Sequence, residues 1–200
     1  MNKKLKKGYS IFVKYYMYFF VAAVVGWIYE VLTIMIENGH GFQNRGSLFG
    51  PYIPVYGFGM VVLVLTVSPI KKIKFGNLQD KSKILDFIIK VILVFIAATI
   101  VTTVVELITS YLVCADEWTY KKDGTGTSLW YYSANEGYDI NFEGRIALKS
   151  SIRFGIGGTI LLYLIQPLID KFAKKEKCFV IAGSIFLVIF LVDAFITFLI

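Results

Sequence analysis

Residues 84–113 read ILDFIIKVILVFIAATIVTTVVELITSYLV, a run in which Glu106 is the only charge beyond Lys90. As a helix rising ~1.5 Å per residue it crosses ~30 Å of hydrocarbon with length to spare. Four more stretches meet the same test: Ile11 to Ile36, Ile53 to Ile70, Ile146 to Ile169 and Cys178 to Ile200. The expected architecture is an all-α membrane protein with about five transmembrane helices, at 11–36, 53–70, 84–113, 146–169 and 178–200. They form a single integral membrane domain over 1–200, with external loops at 37–52 and 114–145. Composition agrees, because 56% hydrophobic against 18% charged residues is not the balance of a soluble domain. Aromatics at 16% exclude disorder.

Basic residues set the orientation. Lys3, Lys4, Lys6 and Lys7 precede the first span, Lys71, Lys72, Lys74, Lys81 and Lys83 follow the second, and Lys171, Lys174, Lys175 and Lys177 follow the fourth. The opposite side has only Arg45, Lys121, Lys122 and Arg145. The positive-inside bias therefore predicts a cytoplasmic amino terminus and an external carboxyl terminus. Because the +7 charge is spent flanking apolar spans, it does not point to nucleic acid. Cys114 and Cys178 fall at opposite faces in this topology, which excludes a disulfide scaffold. The first apolar run is too long for a cleaved signal peptide and carries Glu30, so it is expected to stay as a helix.

Two external segments are more than turns. Glu37 to Tyr52 holds Gly39, Gly41, Gly46, Gly50 and Pro51, and Pro54 and Gly57 follow. Either a broken or re-entrant element enters the second span here, or the prolines simply begin a helix. Cys114 to Gly144 holds Trp118, Tyr120, Trp130, Tyr131, Tyr132 and Tyr138, which reads as an interfacial aromatic belt. His40, the only histidine, reads as an exposed loop residue.

Glu30, Glu106, Arg153 and Asp193 each lie six or seven residues inside an external helix end, about 9–11 Å into the bilayer. A lone charge there costs a few kcal/mol, so pairing or a wet cavity is expected. Ala22, Gly26 and Glu30 share one stripe, and Ala98, Thr102, Glu106 and Ser110 another. Arg145, Lys149 and Arg153 form a basic stripe beside Ser151, Gly155 and Thr159. Small residues permit close helix approach in lipid, so the acidic stripes are expected to meet the basic one. Buried pairs that only orient helices are the competing reading. Glu30-x-x-Thr33 followed by Asn44-Arg45-Gly46, and Glu106-x-x-Thr109 followed by Asn141-x-x-Gly144-Arg145, suggest a parallel two-helix repeat of the kind some transporters use.

Gly26-Trp27-x-x-Glu30, Asn44-Arg45-Gly46-x-Leu48-x-Gly50-Pro51-x-x-Pro54-x-Tyr56-Gly57, Glu106-x-x-Thr109-Ser110-Tyr111 and Gly144-Arg145-Ile146 resemble the CmpB-type bacterial membrane proteins. These are labelled ABC-transporter permeases and are common in Firmicutes. The resemblance spans nearly the whole chain and implies a transport context in a bacterial cytoplasmic membrane. Where that family has Trp-Asp-Tyr-Ser, this chain reads Trp130-Tyr131-Tyr132-Ser133, so the acidic position is not carried over.

Three functions remain open. A transporter or substrate-binding permease subunit would use Glu30, Asn44, Arg45, Glu106, Asn141, Arg145, Lys149, Arg153 and Asp193 around an outward-facing charged cavity for an anionic or zwitterionic solute. With no phosphate-binding Gly-x-x-x-x-Gly-Lys-Ser/Thr loop, it would need a separate ATPase subunit or an oligomer. A structural or regulatory subunit would use the same charges as internal pairs. An intramembrane enzyme acting on a lipid headgroup would use a glutamate as base and Arg153 for phosphate, although no catalytic, metal or cofactor motif appears.

Overall fold

The computed structural model describes residues 3–38, 41–46, 48–75, 82–113, 132 and 137–199. His40, Lys81, Cys114, Trp118, Tyr120, Lys121, Lys122, Trp130 and Tyr131 lie outside them.

The helices are α1 (Lys3–Asn38), α2 (Pro54–Thr66), α3 (Lys83–Val113), α4 (Leu148–Ile160), α5 (Gln166–Ala173) and α6 (Glu176–Leu199). A 3-10 turn, Ser68–Lys72, extends α2, and a π turn, Leu161–Ile165, joins α4 to α5. Counted as continuous spans, five are long and apolar enough to cross a membrane: Lys4–Ile36, Pro54–Lys72, Lys83–Leu112, Leu148–Ala173 and Glu176–Thr197. Prolines punctuate them. Pro54 opens α2, where its missing N–H is no loss. Pro167 cannot serve the Tyr163 carbonyl, and the π turn lies just ahead of that gap.

The chain forms two compact units, residues 1–61 with 163–200 and residues 62–162. In the first, α1 packs on α5 and α6. Residues 48–53 are not helical, yet Leu48 and Tyr52 are buried with Ala23 of α1, against Phe20, Val24, Phe190 and Ala194. The Ile53 N–H donates to the Ala23 carbonyl at 3.0 Å. Ala23 lies ~20 Å along α1 from Ile36, so this segment re-enters the span rather than crossing above it. Gly57 makes room for Phe19, whose ring a Cβ would overlap.

In the second unit α3 packs along α4. Gly155 faces Thr99 and Phe95, and Gly158 faces Leu63, Ala98 and Thr102, so small residues set the helix approach as the stripes predict. A two-stranded antiparallel hairpin, β1 (Asn141–Phe142) and β2 (Ile146–Ala147), precedes α4. It occupies the first residues of the expected fourth span because Glu143 and Gly144 both take positive φ, 54° and 67°, as tight hairpin turns require.

Gly155→Val should lower the thermal midpoint in detergent by several degrees, an overpacking cost of about 1–3 kcal/mol. Gly157→Ala, where a Cβ meets open space, should leave it within a degree or so. Equal effects would remove the packing role assigned to Gly155.

Candidate functional site

In the first unit the ring of Tyr56 crosses α1 over Gly26, where a Cβ would overlap it. That approach lets the Tyr56 hydroxyl donate to Glu30 Oε1, one turn along. Trp27 Nε1 donates to Asn44 Oδ1 at 2.6 Å. The same oxygen accepts the Gly46 N–H at 3.1 Å, and Asn44 Nδ2 donates to the Leu48 carbonyl at 3.4 Å. Arg45 is half-buried in this turn.

Asp193, in the last third of α6, receives the re-entrant segment. Its carboxylate accepts the Phe49 N–H at 3.1 Å, the Gly50 N–H at 2.7 Å, the Tyr52 hydroxyl, and the Thr197 hydroxyl at 3.3 Å.

The second unit gathers more of the expected residues. Glu106 is 4% exposed, and its Oε1 accepts the Tyr132 hydroxyl at 2.6 Å. Ser150 Oγ lies 2.7 Å from the same hydroxyl. With the tyrosine proton given to Glu106, serine is the donor in a Ser150, Tyr132, Glu106 relay. Tyr132 is fixed by its N–H to the Gly144 carbonyl at 2.9 Å and by its ring against Tyr138.

Arg145, buried, donates from Nη1 to the Ser110 carbonyl at 3.0 Å, in the last turn of α3, where a cation complements the helix dipole. Its guanidinium lies 4.1 Å from the Tyr111 ring centroid and its Nε 3.6 Å from Glu143 Oε2. Tyr111 also donates to that oxygen, at 2.7 Å. Asn141 Oδ1 accepts the Gly144 N–H at 3.0 Å, so this side chain builds the hairpin turn. Lys149 is exposed, with its ammonium 5.1 Å from the Tyr138 ring centroid. Arg145 precedes α4 in the hairpin, so of the expected basic stripe only Lys149 and Arg153 share that helix, and Arg153 is half-buried.

Glu30, Asn44, Arg45 and Asp193 therefore belong to the first unit, and Glu106, Asn141, Arg145, Lys149 and Arg153 to the second. Sequence reasoning missed Tyr52, Tyr56, Tyr132 and Ser150. Tyr56 stood inside the quoted motif, whereas Tyr132 read as interfacial belt. Among the described residues no three His, Cys, Asp or Glu side chains gather to hold a metal.

Residues 17–198 match the family model described as "Putative ABC-transporter type IV", the CmpB-type family. The chain belongs to this family. No curated protein and no solved structure matches it. The CmpB-type resemblance seen in sequence thus covers both units, and the motif residues Gly26, Trp27, Glu30, Asn44, Gly46, Leu48 and Tyr56 interlock in one of them.

Asp193→Asn removes the charge that four donors share. It should expose the Phe49 bond to limited chymotrypsin digestion, raising cleavage at least about tenfold, since each charge-assisted bond contributes about 1.5–3 kcal/mol. Unchanged cleavage would show that the carboxylate does not hold the segment.

Proposed function

We propose that this chain is the membrane-embedded subunit of a transporter for a solute with an anionic or zwitterionic group, and that the solute's charge is met in the second unit. Arg145, Lys149 and Arg153 supply the positive field, and Glu106 is a carboxylate that can exchange a proton through Tyr132 and Ser150. The amino terminus is cytoplasmic and the carboxyl terminus external by the lysine distribution. Energy comes from a separate ATPase subunit. The observation that carries the reading is Glu106 itself, a nearly inaccessible carboxylate in the apolar run of α3 with a hydroxyl relay on it. Such residues within spans are expensive and commonly mark solute or proton paths.

A second reading, a structural or regulatory subunit, is favoured by Asp193, whose carboxylate is wholly engaged by the chain's own segment. Buried charges of that kind hold elements in place without any ligand.

The two separate by solute profiling. Vesicles from cells with and without the chain are compared by mass spectrometry for anionic and zwitterionic solutes taken up. Glu106→Gln and Arg153→Ala should each reduce the difference at least about tenfold at unchanged protein level and unchanged elution in size exclusion. Folded Arg153→Ala with full uptake would defeat the transport reading. Absence of any solute difference would leave the structural one.

A further inference from the structure

At its lysine-rich end the first unit is cut by two adjoining cavities. One, about 420 Å³, is lined by Lys14, Asp170, Lys174 and the apolar Ile11 and Phe179. The other, about 370 Å³, is lined by Lys6, Lys7 and Glu176, and Ser10 and Ile11 border both.

The lining is divided by chemistry. Asp170 is already engaged, accepting the Lys14 ammonium at 2.6 Å and the Tyr18 hydroxyl at 2.5 Å. That pair neutralises itself. Among the described residues none of Lys6, Lys7 and Lys174 forms an ion pair, so together they leave an excess of positive charge over Glu176. Beside them Leu5, Tyr9, Ile11 and Phe12 present exposed apolar surface on the same helix. A free anion would need only the lysines. A ligand with a charged head and hydrocarbon tails uses both surfaces.

We propose that this groove, between the first turns of α1 and the α5–α6 connection, holds the headgroup of an anionic phospholipid, its phosphate among Lys6, Lys7 and Lys174 and its chains along Ile11 and Phe12. Basic pockets at helix ends recognise such headgroups through the same charge excess. The site is separate from the Glu106 cluster and does not depend on the transport reading.

The test is native mass spectrometry of the purified full chain with phosphatidylglycerol or phosphatidylcholine added. Phosphatidylglycerol should be retained preferentially. Lys7→Gln and Lys174→Gln should each weaken it roughly fivefold, the effect of one lysine near an anionic headgroup. Glu176→Gln should tighten it several-fold, a gain that misfolding cannot mimic. Lys72→Gln and Lys83→Gln, at other basic helix ends, should leave it unchanged. Equal retention of phosphatidylcholine, equal loss in the Lys72 and Lys83 variants, or displacement of the lipid by millimolar inorganic phosphate would each overturn the proposal. The last would mark a site for soluble anions.

Discussion

A backbone N–H at bilayer depth has no water to answer it, and the Asp193 carboxylate answers two in succession, those of Phe49 and Gly50. Irregular chain is tolerated in a membrane only where protein satisfies it. The rest of the first unit follows from that requirement. The Tyr52 hydroxyl and Thr197 occupy remaining acceptor sites on the same carboxylate, and the Ile53 N–H goes to Ala23. Once Ile53 is fixed on α1, α2 starts below the helix end, which explains why its span is only 19 residues against 33 for α1.

The same economy recurs with tyrosine as donor. Glu30 accepts from Tyr56 and Glu106 from Tyr132, in each case 26 residues later in the chain. A phenol brings a donor on a largely apolar ring, so it satisfies a carboxylate without adding a second charge to desolvate. Asn44 and Asn141 likewise each accept a downstream glycine N–H, from Gly46 and Gly144. The backbone contexts differ, since Tyr56 lies on α2 whereas Tyr132 precedes a hairpin. The two halves echo each other in chemistry more than in shape.

Five spans were legible because a run such as 84–113 has one physical solution in lipid, and the small-residue stripe of α4 was legible because glycine spacing sets helix approach directly. The depths of Glu106 and Asp193 could also be counted. Their partners could not. Tyr132 sits among aromatics that hydropathy assigns to an interface, and its backbone bond to Gly144 and its ring contact with Tyr138 are what hold its hydroxyl on Glu106. Nor could sequence choose between a broken entry and a proline-led helix at 48–57. Both occur in succession there, because a proline at N1 is indifferent to what precedes it.

Sequence separation also orders assembly. Glu30 and Glu106 receive their donors from segments that follow closely in the chain, so each carboxylate is satisfied soon after its helix is made. Asp193 meets donors 141 to 144 residues upstream. Until α6 arrives, the N–H groups of Phe49 and Gly50 lack that acceptor, and the re-entrant segment cannot settle at depth without an unanswered polar cost of several kcal/mol. Long-range closure of this sort is slow because loop entropy is lost before contacts reward it. The first unit is therefore completed by its last helix, and a lesion at Asp193 is felt in the segment 141 to 144 residues upstream.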